Sequence, residues 1–330
     1  MKRYLLLYIG LGLCSLILFF ESLNSGPVKF SLLSTFFNPE SRCYLILMDI
    51  RLPRTILAYC TGIALSLCGA TLQAILDNPL AEPFTLGISS GAAFMASLVI
   101  YLGINLFSIY TIPLASLVGA FFTLVFVLYL AKEKYFLCSE NLILAGIVLT
   151  TFFSALISIV KSLDEEGVSS IIFWIMGSFA GRSWAEVKLF LPFFLLAAPT
   201  IFLLRKYLDI LLLGDLEAHN LGINPHFYRL IFFVLTSILA GASVSVTGII
   251  GFIGLISPHM LRLLKIDTYY HLIPLSGLTG GCLMLGADIL ARIVLPGGEE
   301  LPVGALTALL GGPFFCLLLL QKQKSKHDTF

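Results

Sequence analysis

Long apolar runs dominate the chain, separated by short polar stretches and by stretches rich in glycine and proline. A helix needs roughly 20 apolar residues to cross a hydrocarbon core. On that measure the pattern predicts about ten spans, near 4–22, 52–75, 87–106, 111–131, 139–160, 186–204, 227–246, 248–263, 270–292 and 302–320. The eighth is short and glycine-rich, and no β-rich run is present. A further apolar piece, 168–179, is too short to span and reads as a half-helix returning to the surface it left. Lipid offers the backbone no hydrogen bonds, so such a break is tolerated only where protein or a watery cavity covers it. The prediction is an all-α polytopic membrane protein forming one integral domain over 1–330. Its transmembrane core runs over about 4–320, and a short tail follows at 321–330.

Small residues refine this picture. GISSG (87–91), GSFAG (177–181) and GLTGG (277–281) each repeat glycine four residues apart. On a helix that spacing puts both glycines on one face and lets two backbones approach closely. Residues 211–227, LLLGDLEAHNLGINPHF, are polar and amphipathic. Gly222 can end one short helix there and let a second leave at a sharp angle, because glycine tolerates positive φ. A compact helix-turn-helix knob for a soluble partner fits that stretch, as does a plain connector.

Composition agrees with a lipid solvent. Charged residues make up 12% of the chain, against about 25% in a soluble domain, and mean hydropathy is +0.98. The net charge of +1 and the scattered basic residues exclude a nucleic-acid-binding surface. Seven cysteines, Cys138 among them, lack CxxC spacing and mostly lie in apolar runs, where a thiol acts as a small hydrophobe. The N-terminal stretch has the basic-then-apolar form of a signal peptide but no A-x-A site, and reads as a retained first span. With the N-terminus inside, 12 of the 20 lysines and arginines, Lys134 included, fall on the inner side. That is the bias expected of cytoplasmic loops, with both termini cytoplasmic. Arg51, Arg54 and Arg292 are then outward charges that this rule disfavours.

Candidate chemistry is sparse. Residues 87–91 satisfy G-x-S-x-G, but that nucleophile elbow needs a strand before it, so Ser89 is a poor nucleophile candidate. No lysine follows a glycine, so the P-loop pattern GxxxxGK[ST] is absent and ATP is not bound by that device here. Uphill transport would draw on an ion gradient or on another chain. An ion-coupled carrier would centre on Asp288, which can equally pair with Arg292 four residues on.

Six motifs follow one another in order: RLPRT (51–55), NPLAEPFTLGISSGA (78–92), LGDLEAHNLGI (213–223), GIIGFIGLISPHMLRLL (248–264), ADILAR (287–292) and ELPVGALTALLGGPFF (300–315). Together, over about 45–320, they resemble the membrane subunits of ABC importers for iron-siderophore, haem and vitamin B12, the FecCD-type permeases. The resemblance implies a type II importer permease fold with ten transmembrane helices in the bacterial cytoplasmic membrane. It implies pairing with an identical or closely similar permease around a central path. It further implies two cytoplasmic ATPase subunits carrying ATP-Mg and a soluble binding protein outside, with no cofactor on this chain. Residue by residue, Arg51, Arg54 and Arg292 match arginines that dock on glutamates of the binding protein. Gly214, Glu217, Ala218 and Gly222 match the segment that couples to the ATPases. Asn78 and Leu80 match a cytoplasmic gate, and Thr150, Thr151, Ser154 and Ser158 look like path-lining residues of the fifth span. Ferric siderophore is the first cargo implied, with cobalamin, haem or an oxyanion as alternatives.

Overall fold

A computed structural model of the chain describes residues 2–31, 35–37, 39–133, 136–137, 139–163, 167–295 and 298–327. Lys134, Cys138 and residues 328–330 of the anticipated tail lie outside them. Among the described residues twelve helices of six residues or more follow in order, besides a 3-10 turn at Ser108–Tyr110. They are α1 (Lys2–Asn24), α2 (Arg42–Ile75), α3 (Ile88–Tyr101), α4 (Thr111–Ala131), α5 (Ser139–Leu163) and α6 (Val168–Ile175). Then come α7 (Trp184–Leu211), α8 (Asp215–Asn220), α9 (Pro225–Thr247), α10 (Ile253–Leu263), α11 (Tyr269–Ile293) and α12 (Val303–His327). Two two-residue strands, β1 (Lys132–Glu133) and β2 (Phe136–Leu137), pair antiparallel between α4 and α5.

Each anticipated span coincides with a helix, and among the described residues seven are long and apolar enough to cross a membrane: α1, α2, α4, α5, α7, α9 and α11. The third and eighth runs are shorter. α3 has 14 residues because Gly103, at φ +59°, ends it, with the Ile104 N–H closing onto Val99 O at 3.2 Å. α10 has 11 because residues 248–252 are not helical. α12, of 25 residues, contains the tenth run from Val303 on. The piece at 168–179 is an eight-residue helix, α6.

Burial sorts the helices into layers. Of the most apolar window in each, 78% is buried in α2 and 72% in both α9 and α11, against 11% in α1 and 28% in α5 and α7. The most extensive helix pair is α2 with α11. Its closeness follows from glycine: a Cβ on Gly62 would stand 2.6 Å from Met284 Cβ and overlap the Gly280 carbonyl. Within GLTGG the close backbone approach is thus made by Gly280 and not by the four-apart pair Gly277 and Gly281. GSFAG does not lie on a helix. Gly177 and Gly181 have φ of +70° and +69° in the segment after α6, where their use is conformational.

The breaks meet at one point. The Ser178 N–H donates to Thr247 O (2.8 Å) and the Gly304 N–H to Gly177 O (3.1 Å). The end of α6, the interruption after α9 and the start of α12 thus satisfy one another's free backbone groups, as a buried break requires.

Local sequence sets the helix ends. Ser183 and Glu186 form a capping box at the start of α7. Pro53 lacks the N–H that would close a turn onto residue 49, and the preceding stretch, Ile46–Arg51, widens into a π-helix. The widening includes Arg51 itself.

Candidate functional site

The three arginines expected to project outward are buried, with exposures of 4% (Arg51), 6% (Arg54) and 7% (Arg292). All are gathered where the N-terminal part of α2 meets the C-terminal turn of α11. Arg54 Nη2 and Nε donate to Asp288 Oδ1 at 2.7 and 3.0 Å, and Nη1 donates to Glu300 Oε1 at 2.8 Å. Arg292 Nη2 lies 2.8 Å from Asp288 Oδ2 and 2.7 Å from Ser22 Oγ. Arg51 has backbone partners instead: its guanidinium donates to the carbonyls of Leu23 (2.8 Å), Asn24 (2.9 Å) and Val28, and lies over the Phe30 ring. The positive charge that disfavours an outward position is thus held inside the protein. Two carboxylates and the carbonyls at the end of α1 satisfy it. Asp288, fully buried between two arginines, is tied up as an ion-pair partner.

The gate and path candidates meet elsewhere. After α2, Asp77 adopts φ +46° and Asn78 Oδ1 accepts the Leu80 N–H at 2.9 Å, an Asx turn that sets the loop. The loop then passes over α5 at Gly146, where a Cβ would stand 2.7 Å from Leu86 Cα. This crossing opens a cleft of about 270 Å³ whose lining includes Asn78, Leu80, Phe84, Ile147, Thr150 and Thr151. Four of the anticipated residues therefore share one cavity. Ser154 and Ser158 continue the same exposed stripe of α5, one and two turns further on. The hydroxyls of Thr151 and Ser158 donate to carbonyls of their own helix, Ile147 O (3.0 Å) and Ser154 O (2.9 Å). Those two hydroxyls are satisfied within the helix, whereas the buried hydroxyl of Thr150 has no hydrogen-bond partner among the described residues.

At the coupling segment, Gly214 (φ +103°) and Gly222 (φ +79°) bracket α8. Ala218 is its buried anchor, while Glu217, Leu216 and Leu221 are exposed. The N–H groups of Gly222 and Ile223 close onto His219 O (2.9 Å) and Ala218 O (3.0 Å), the glycine-ended turn foreseen at Gly222. Asn224 caps α9 through Phe227 N–H, and Asp215 pairs with Arg229 at 2.7 Å. The result is a short helix carried on two firm corners.

A family model described as the FecCD transport family matches residues 13–321. The chain belongs to the FecCD family. Among FecCD relatives, the Fe(3+) dicitrate transport system permease protein FecD of Escherichia coli is 35% identical, covering 97% of this chain and 99% of its own. The hemin transport system permease protein HmuU of Yersinia pestis is 36% identical, with 94% of each chain covered. Others are named as import permeases for vitamin B12 (Klebsiella pneumoniae, 36% identical, 84% and 83% covered) and molybdate (Haemophilus influenzae, 35%, 84% and 82%). A solved metal-chelate-type ABC transporter in an inward-facing conformation superposes with TM-score 0.85, at 34% identity over 95% of this chain and 98% of that one.

As a FecCD member the chain is a multi-pass ABC importer permease, and its cargo is not fixed by kinship. Two carboxylates of this FecCD chain escaped sequence reasoning. Glu300 binds Arg54 across 246 positions, a separation at which spacing carries no signal. Glu82 accepts the N–H of Phe252 (φ +68°) at 3.3 Å, tying the Asn78 loop to the break before α10. Burial pushes its carboxyl up to about 7, opposed by that N–H.

Proposed function

We propose that this FecCD permease carries an iron chelate, a ferric siderophore in the first instance, across the cytoplasmic membrane by alternating access. In this reading it pairs with a second permease subunit, identical or closely similar. Two cytoplasmic ATPase subunits hold the ATP-Mg, and an extracytoplasmic binding protein delivers the cargo. The observation that carries the reading is the cleft shared by Asn78, Leu80, Thr150 and Thr151. There a turn-forming loop sits against a hydroxyl-bearing helix, so a shift of one against the other opens or shuts a passage without breaking a packed core. Closure of the ATPase pair would press on α8 through Glu217 and its exposed leucines, and the movement would tilt the two permeases. The names of the iron-citrate and haem relatives favour an iron chelate. Cobalamin and an oxyanion are the alternatives, on the names of the others.

The arginine cluster defines the outward end in this orientation, with both termini cytoplasmic. Three arginines against Asp288 and Glu300 leave one positive charge in excess, and Arg51 has no carboxylate among its partners there. That excess suits a carboxylate-bearing binding protein by steering its approach more than by direct pairing.

The test is reconstitution of the permease with the ATPase and binding protein encoded beside it, followed by uptake of iron-55 as ferric siderophore into liposomes. Uptake should require ATP, survive a protonophore, and fall with Glu217→Lys as the ATPase dissociates. Uptake that runs without ATP and collapses with the protonophore would establish an ion-coupled carrier instead.

A further inference from the structure

A second cavity, about 460 Å³ and almost wholly apolar, lies between α2, α7 and α11, away from the cleft at Asn78. Ile63, Leu67, Phe194, Pro199, Pro274 and Gly277 are among its walls. Proline and glycine at the helix surfaces leave the gap. Gly277 has no side chain to fill it, although a Cβ there would meet Ile63 and Leu67 only at 3.4 and 3.6 Å.

Of the α7 residues in its walls Phe202 is nearest the helix C-terminus, and one turn further on stands Arg205. Its guanidinium is held between two rings, 3.8 Å from the Phe202 centroid and 4.2 Å from that of Tyr270. Among the described residues no carboxylate lies within ion-pair distance of it. Asp209, one turn along the same helix, is taken up by the N–H groups of Tyr269 (2.8 Å) and Tyr270 (3.1 Å). Tyr4 stacks on His271 at 4.0 Å and Tyr207 on Tyr228 at 4.2 Å. Aromatic residues collected at one level mark a membrane–water interface. From Phe194 to Arg205 the helix rises about 16 Å, close to the roughly 15 Å of hydrocarbon in one leaflet.

We propose that this groove is a binding site for an anionic phospholipid, with one acyl chain between α2, α7 and α11 and the phosphate on Arg205. The leaflet is the one facing the α7 C-terminus. Aromatic stacking holds the guanidinium at headgroup depth, and its forked donors suit a phosphate. Apolar walls alone would accept any lipid; Arg205, whose hydrogen-bond partner is the Phe202 carbonyl (3.3 Å) and not a carboxylate, supplies the preference for negative charge.

The experiment places the full chain, with the subunits that co-purify, in detergent with equal amounts of dioleoyl phosphatidylglycerol and dioleoyl phosphatidylcholine. Native mass spectrometry counts the lipids retained. Wild type should keep phosphatidylglycerol preferentially, and Arg205→Gln should cut that preference about fivefold, the effect of one basic residue at a membrane surface. Lys206→Gln, an exposed neighbour on another face of α7, should leave it unchanged. Leu278→Trp, which fills the groove from its rim, should lower retention of both lipids. Excess glycerol phosphate should not compete, since a headgroup without a chain cannot use the groove. Equal retention of the two lipids by wild type, or an Arg205→Gln preference equal to wild type, would overturn the proposal. So would competition by glycerol phosphate. A Leu278→Trp chain that keeps its lipid but loses its oligomeric partner would overturn it too, by assigning the groove to a second copy.

Discussion

At its N-terminal end α2 is held by Arg51 and Arg54, each with several partners and almost no contact with solvent. At its C-terminal end it runs into an exposed loop shaped by Asp77, Asn78 and Pro79, which faces a cleft rather than a packed neighbour. The first end is fixed by charge in a place with little water, where each guanidinium needs its partner. The last turns of the helix itself are still buried, with Gln73 accepting from Arg262 Nη1 at 2.6 Å and Gly69 pressed against the Gly254 carbonyl. Only the loop beyond them, fixed by turn chemistry, Asx geometry and one glycine crossing, borders open space. The contrast thus assigns low-cost changes of width to the loop after α2 rather than to the helix.

The sharpest way to break this contrast is Asp288→Ala. It would leave Arg54 and Arg292 facing each other without their shared carboxylate, and the chain should lose about 3–5 kcal/mol of stability. Denaturant titration in detergent measures this, and a loss no larger than that of Asn78→Ala would erase the difference between the ends. A smaller effect should follow pH. Glu82 has its carboxyl raised from 4.5 to about 7 by burial, so between those values the folded chain binds more protons than the unfolded one. Stability should therefore be greatest below pH 4.5, fall as pH rises through the window, and level off above about 7. Glu82→Gln should flatten that slope in melting curves taken across the range. The smallest effect belongs to Asp215→Asn on α8. Its ion pair with Arg229 is half exposed, so the change should cost less than about 1 kcal/mol and vanish in high salt.

Hydropathy made the long helices legible, because a buried or lipid-facing helix must be apolar all round. It overstated the third and eighth runs. Gly103 and Gly248 cut them short, and an average over a window does not register a positive φ. The coupling helix was legible from Gly222, whose effect is local, and Gly214 came only with the family resemblance. The arginines were only half legible. Asp288 with Arg292 is a one-turn pair visible in sequence, whereas Glu300 and the carbonyls of Leu23, Asn24 and Val28 come from distant parts of the chain. The rule that disfavours positive charge outside reported a real tension, and burial beside acids resolves it. Thr150 and Thr151 could be suspected as polar residues in an apolar helix. That they share a cavity with Asn78 depends on Gly146, whose close approach no pattern along α5 reveals.

Where Gly177, Gly248 and Gly304 meet, main chain touches main chain. A methyl group on Gly248 would overlap the Trp174 carbonyl, and one on Gly304 would overlap those of Met176 and Ile249. Side chains contribute almost nothing to that joint, so it is blind to their identity. Relatives could exchange nearly every residue facing a solute and still inherit the same articulation, provided three positions stay bare.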